Sequence, residues 1–180
     1  MNTPHTIAAV EGPVAARVAA VWALLENVCD PEIPVLTLHD LGILREVREA
    51  DDGQLEVVIT PTYSGCPAMG QIEDDIHAVL SEHQINARVV TQLSPVWTTD
   101  WMSAEGKQKL RDYGIAPPHS VKTQLDVVRF TANPPSPESI ACPQCASVNT
   151  VESARFGSTA CKALYRCLDC KEPFDYFKPY

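Results

Sequence analysis

The stretch "GILREVREADDGQLEVVITPTYSGCPAM", Gly42 to Met69, carries two structural signals in succession. On both sides of Asp51-Asp52-Gly53 apolar and polar residues alternate, with Leu55, Val57 and Ile59 sharing a face. That is the pattern of a β-hairpin closed by an Asp-Gly-type turn. Directly after it, Gly65-Cys66-Pro67 stands where a strand gives way to a helix. Pro67 suits a first helical turn, which places Cys66 at the N-cap and assigns Gly65 the task of letting the backbone approach closely.

Helical patterns flank the hairpin. Upstream, "PVAARVAAVWALLENVCDPEIP" brings Val14, Val18, Val21, Trp22 and Leu25 to one face, and the helix should end near Asp30, because Pro31 and Pro34 cannot continue it. Downstream, Met69, Ile72, Ile76, Val79, Leu80 and His83 line one helical face, and "INARVVTQL" reads as a further strand. The order helix, strand, strand, helix, strand implies an α+β domain, with helices packed on a small mixed sheet. "SAEGKQKLRDYGIAPP" predicts one more helix, capped by Ser103 with Glu105 nearby and stopped around Gly114. The expected organisation is a disordered N-terminus over 1–13, an α+β domain with a helical extension over 14–118, a strand ("QLDVVRF") and Pro-rich linker over 119–140, and a cysteine-rich domain over 141–180.

Bulk properties narrow the function. The 180 residues are 45% hydrophobic and 21% charged, with no run of about 18 apolar residues to span a bilayer. "MNTPHTIAAVEG" lacks the basic start and apolar middle of a secretory signal, so a cytoplasmic location away from membranes is expected. In that compartment clustered cysteines hold metal or react rather than pair. The net charge is −9, with 9 basic and 19 acidic residues over 1–140 and 5 and 4 over 141–180. Such a surface repels phosphate and argues against nucleic acid as a partner.

The tail carries the strongest motif. Cys142-Pro-Gln-Cys145 and Cys167-Leu-Asp-Cys170 are two C-x-x-C pairs separated by 21 residues, the spacing of a zinc ribbon in which each pair clamps one side of a tetrahedral ion. Iron, a cluster or a redox dithiol are the alternatives. Some forty residues bury too little apolar surface to fold alone, and zinc can contribute roughly 10–16 kcal/mol of apparent binding energy. Four thiolates close the coordination shell, so the zinc is structural rather than catalytic. Cys161 is a spare thiol, either a small buried residue or a functional one. Phe156, Tyr165, Phe174, Tyr176, Phe177 and Tyr180 are half of the chain's aromatics, available for a protein-binding surface or for packing the ribbon.

Cys66 has two readings, a buried structural thiol or a reactive one whose pKa a helix N-terminus would depress. Thr60, Thr62, Tyr63 and Ser64 supply hydroxyls nearby. No histidine is placed as a general base, His77 being about three turns along the helix and His39 in another loop, so a Cys-His hydrolase is disfavoured. "DPEIPVLTLHDLG" packs Asp30, Glu32, His39 and Asp40 into a proline-stiffened loop, where acidic turn formers and caps are the simplest account.

"DPEIPV…DLGIL" followed by "TPTYSGCPAM" resembles the small α+β domain of the iron–sulfur cluster assembly accessory proteins, the SufT-like family, over roughly residues 14 to 95. In that family the cysteine of the "GCP" loop is tied to function, so the resemblance implies a role for Cys66, with Thr60, Thr62 and Gly65 around it and the acidic loop mapping onto Asp30, Glu32 and Asp40. "SPVWTTDWMSAEGKQKLRDYGIAPP" and a four-cysteine ribbon ending in "CKEPFDYFKPY" extend the resemblance to the D-subunit family of bacterial phenylacetyl-CoA epoxidase systems. What this implies is a non-catalytic maturation factor for a multicomponent monooxygenase, whose partners are a [2Fe–2S] reductase and a di-iron oxygenase. Iron or a transient cluster would be handled at Cys66, alone with a client cysteine or shared in a homodimer. A scaffold that tethers the components through its ribbon is the alternative.

Overall fold

The computed structural model describes residues 13–119 and 139–180. The expectations of a disordered N-terminus, of the strand "QLDVVRF" and of most of the Pro-rich linker fall outside the described residues. The described residues fall into two compact units, one of residues 13–97 and 101–106, the other of residues 98–100, 107–119 and 139–180.

The first unit is a mixed three-stranded sheet with helices α1 (Val14–Leu25) and α3 (Met69–Glu82) in contact with it and with one another. Strands β1 (Leu44–Glu49) and β2 (Leu55–Ile59) form the expected antiparallel hairpin, in register Val47↔Val57, and β3 (Ala87–Thr91) lies parallel to the other side of β2. The hairpin turn works because Gly53 adopts φ +80°, a conformation costly for a residue with a Cβ. Every residue of β2 is buried, including Glu56, as befits the central strand.

Helix α3 (Met69–Glu82) inserts Ile72, Ile76 and Leu80 into the core, as its periodicity requires. Helix α1 (Val14–Leu25) spans its apolar stripe but ends five residues before the stop expected near Asp30. After Leu25 the backbone is recruited elsewhere: Val28 N–H bonds Leu25 O at 3.1 Å, Asp30 N–H bonds Leu36 O at 2.8 Å, and Cys29 forms an isolated bridge with Thr37. Of the stripe, Val21 and Leu25 are buried while Val14 is 44% exposed, so the helix meets the core through its C-terminal half.

In the second unit β4 (Ile115–Ala116), β5 (Thr150–Ala154), β6 (Lys162–Cys167) and β7 (Pro173–Phe177) form a sheet of order β4-β7-β6-β5. Strand β4 follows helix α4 (Ala104–Tyr113) through Gly114 at φ +93°. The core comprises Ala116, Ile140, Ala163, Phe174 and Tyr176 together with Cys142 and Cys167, with Tyr165 packed against it. Phe177 is also buried. Most of the tail aromatics are therefore core residues, leaving Phe156, 63% exposed, and Tyr180 at the surface.

Candidate functional site

The open end of the β1–β2 hairpin gathers three segments. Thr60 N–H bonds Ile43 O at 2.9 Å, which sets the loop leaving β2 beside the loop entering β1. Gln92 N–H bonds Ile59 O at 2.8 Å, so the segment leaving β3 departs from the same end. Because β2 and β3 are parallel and joined through α3, this is the carboxyl end of the parallel strands, where connecting loops commonly build binding sites.

Cys66 lies in the β2–α3 loop and is partly exposed. Its expected place at the helix N-cap is corrected: α3 begins at Met69 and its N-cap is Ala68. Cys66 N–H bonds Tyr63 O at 3.1 Å and Cys66 O accepts from Met69 N–H at 3.4 Å, so the chain makes two successive tight turns. Helical bonding from α3 starts only with Ile72 N–H to Ala68 O at 2.9 Å. A thiol is a poor capping acceptor and Pro67 has no N–H, so residue 66 suits a turn better than a helix cap. Gly65 also departs from expectation, because it is exposed and a Cβ there would meet nothing nearer than the Tyr63 ring at 3.9 Å. Thr60 and Thr62 are both buried, flanking Pro61.

The acidic loop has structural duties. Asp30 Oδ1 accepts from the N–H groups of Glu32 and Ile33 at 2.9 and 2.8 Å, closing a side-chain turn. Thr37 and Asp40 form a reciprocal capping box on the short helix α2 (Leu38–Leu41), which Gly42 ends at φ +70°. A Cβ on Gly42 would lie 2.6 Å from Trp101 O. Asp30 and Asp40 are buried, Glu32 is partly exposed, and His39 is exposed with its ring edge-on to Trp22 at 6.0 Å. The Trp97 indole donates to Leu41 O at 2.9 Å, an anchor that the sequence reading missed and that a tryptophan just beyond the last strand could have signalled. His77 is exposed on α3.

Among the described residues, three or more metal-ligating side chains converge only in the ribbon. The sulfurs of Cys142, Cys145, Cys167 and Cys170 all lie within 4.8 Å of one another, with Cys142–Cys170 at 3.7 Å and Cys145–Cys167 at 3.6 Å. A tetrahedron with Zn–S of about 2.3 Å has edges of about 3.8 Å, so the set fits the ion. The two knuckles are built alike. The residue after each second cysteine takes positive φ, Ala146 at 59° and Lys171 at 70°, and Cys142 N–H and Cys167 N–H bond Ser147 O and Glu172 O at 2.9 Å each. Asp169 joins them by accepting from the Ser147 hydroxyl and from Asn149 Nδ2, and these bonds hold its carboxyl below the usual range.

Four thiols this close do not ionise independently. Backbone N–H groups, chiefly that of Cys170, draw the Cys167 thiol down to about 6. At Cys170 the Glu172 N–H lowers the pKa most, yet desolvation and the neighbouring sulfurs outweigh it and push the thiol up to about 12. A divalent cation resolves the conflict by accepting all four as thiolates. When bound, zinc supplies a closed structural cross-link with no open position. Cys161 is outside this set; it is buried, with Thr159 Oγ1 3.0 Å from its sulfur.

Comparison with known proteins agrees with this architecture. The family described as "Iron-sulfur cluster assembly protein" matches residues 18–91, and the "PaaD zinc beta ribbon domain" matches residues 129–178. A protein of Escherichia coli (strain K12), provisionally named as the D-subunit of 1,2-phenylacetyl-CoA epoxidase, is 47% identical over 90% of this chain and 93% of its own. The chain belongs to the D-subunit family of phenylacetyl-CoA epoxidase. Within it, a domain that matches the iron–sulfur assembly family is followed by one that matches the zinc ribbon. The first domain alone is similar to the Fe-S protein maturation auxiliary factor SufT of Staphylococcus aureus (strain USA300), 37% identical over 44% of this chain and 92% of that one. Among solved structures, a domain of unknown function from Bacillus anthracis matches at 31% identity and TM-score 0.48, covering 53% of this chain and 92% of that chain. No helix among the described residues is long and apolar enough to cross a membrane.

Proposed function

We propose that the protein is a non-catalytic maturation factor of phenylacetyl-CoA epoxidase, assisting assembly of the iron–sulfur or iron centre in a reductase or oxygenase component. The observation that carries this reading is the placement of Cys66: a partly exposed thiol at the carboxyl end of the parallel strands, within a domain whose relatives are named Fe-S protein maturation auxiliary factors. A single accessible thiolate is an incomplete ligand set. It can share iron or a cluster with a donor or client and release it, whereas four converging cysteines retain their ion. Buried Thr60 and Thr62 anchor the loop that carries Cys66, and Asp30 and Asp40 hold the neighbouring one in place.

The deciding experiment is anaerobic reconstitution of the apo-epoxidase components with an iron and sulfide source, in the presence of wild type or Cys66→Ala. Wild type should raise the yield of active enzyme, and the variant should fall to the level without factor. Equal maturation by the variant would refute the thiol's role. A tethering role for the ribbon has its own support in the exposed Val148, Val151, Phe156 and Leu164. It predicts co-purification with the epoxidase components that survives Cys66→Ala but not loss of Cys142 and Cys170.

A further inference from the structure

Beside the Cys66 loop, the segment leaving β3 exposes two aliphatic side chains, Leu93 at 57% and Val96 at 73%. Isolated exposed aliphatics are ordinary, but this pair sits on a short span fixed at both ends. Gln92 N–H is bonded to Ile59 O at 2.8 Å and its side-chain Nε2 to Ser94 O at 2.6 Å. Four residues beyond Leu93, Trp97 is buried with its indole on Leu41 O at 2.9 Å. The two apolar groups are thus presented in advance of binding, which reduces the ordering cost a partner must overcome.

Charge around the pair selects the partner. Residues 13–97 contain four arginines, no lysine and thirteen Asp and Glu. All four guanidinium groups are engaged: Arg17 with Glu49 at 2.9 Å, Arg48 and Arg88 with Glu56, and Arg45 over the Trp101 ring at 3.5 Å. At the relevant end of the sheet α3 adds Glu73-Asp74-Asp75. Glu73 accepts from Thr91 Oγ1 at 2.9 Å, two residues before Leu93, and Asp74 is exposed. An apolar step with an anionic rim repels an acidic protein, an anionic lipid surface and a second copy of itself, and attracts a basic one.

We propose that Leu93 and Val96, with the carboxylates of α3 at their rim, form the client-docking surface of this unit, and that its occupant is a segment of an epoxidase component carrying an apolar side chain flanked by lysine or arginine. The inference rests on the maturation reading and adds to it how the client is brought to Cys66.

The test measures binding of the full-length, zinc-loaded chain to the purified apo-reductase and apo-oxygenase components separately, at several salt concentrations. Wild type should bind one of them with affinity that falls as salt rises. Leu93→Asp with Val96→Asp should weaken binding at least tenfold, and Asp74→Lys several-fold. Circular dichroism melting checks the folding of each variant, and Val96→Ser provides a milder change if the double variant unfolds. Undiminished binding by the folded double variant overturns the proposal, as does failure of wild type to bind either component. So does a wild-type dimer in sedimentation that Val96→Asp dissociates, since the surface would then belong to a second copy. Failure here leaves the reconstitution result for Cys66→Ala standing, and the reverse holds, because one reads docking and the other maturation.

Discussion

Ser103 donates its hydroxyl to Asp40 Oδ1 at 2.8 Å, joining residues 63 positions apart. The same Ser103 oxygen accepts Gly106 N–H at 2.8 Å as the cap of α4, while Asp40 Oδ2 accepts Thr37 N–H at 3.2 Å as half of the α2 capping box. One buried carboxylate therefore fixes two helix starts. Asp40→Ala strands donors at both and is expected to cost about 2–3 kcal/mol. Urea denaturation should show the loss, with zinc content unchanged. An Asp40→Ala protein as stable as wild type would return this acidic loop to a purely functional reading.

Gly106 and Gly70 should respond to alanine with opposite signs. A Cβ at Gly106 would lie 2.9 Å from Asp40 Cβ and 3.0 Å from its carbonyl oxygen, neither of which is the end of a flexible side chain. Overpacking of this kind costs about 1–3 kcal/mol and outweighs the gain in helix propensity of ~1 kcal/mol. A Cβ at Gly70 meets nothing within 4 Å, so Gly70→Ala should stabilise α3 by about 0.5–1 kcal/mol. Thermal unfolding of the two variants settles both signs.

The contrast between these glycines shows where sequence reading succeeds. Alternation around Asp52-Gly53 specified the hairpin, and the spacing of Ile72, Ile76 and Leu80 specified α3, because local periodicity reports directly which face is buried. The metal centre was equally legible, since two C-x-x-C knuckles carry their geometry with them. Residues whose environment is set by distant chain were not. Trp97 on Leu41, Gly106 against Asp40 and the burial of Phe174, Tyr176 and Phe177 all depend on pairings that no local pattern encodes. The assignment of Cys66 to the N-cap failed for a local reason: Pro67 starts a turn as readily as a helix, and here two tight turns precede α3.

Glu56 provides a pH dependence with a defined sign. Arg88 and then Arg48 hydrogen-bond its carboxyl and hold its pKa below the ordinary value. A carboxyl depressed in the folded state contributes stability that is present above the unfolded value of ~4.3 and is lost as pH falls through the folded value. Wild type should therefore show a melting temperature that drops steadily below about pH 4.3. Glu56→Gln should be less stable at pH 7, with its difference from wild type narrowing over that acid range. Parallel curves for the two proteins would show that the charge of Glu56 contributes nothing to folding.

Alkylation separates the three classes of thiol. Cys29 is exposed and Cys66 partly exposed, so iodoacetamide followed by mass spectrometry should modify both in the zinc-loaded chain. Cys161 is buried and should resist. Cys142, Cys145, Cys167 and Cys170 should also resist, although Cys145 and Cys170 are exposed, because a zinc-bound thiolate is a poorer nucleophile than a free one. Chelation of the zinc should add these four to the labelled set. Cys161 should follow, because Cys142 and Cys167 belong to the same core as Ala163, Phe174 and Tyr176, and that core loses its cross-link with the metal. Protection of Cys161 after complete zinc removal would mean that the ribbon core holds without its ion. Modification of Cys145 with zinc still bound would place that residue outside the coordination shell.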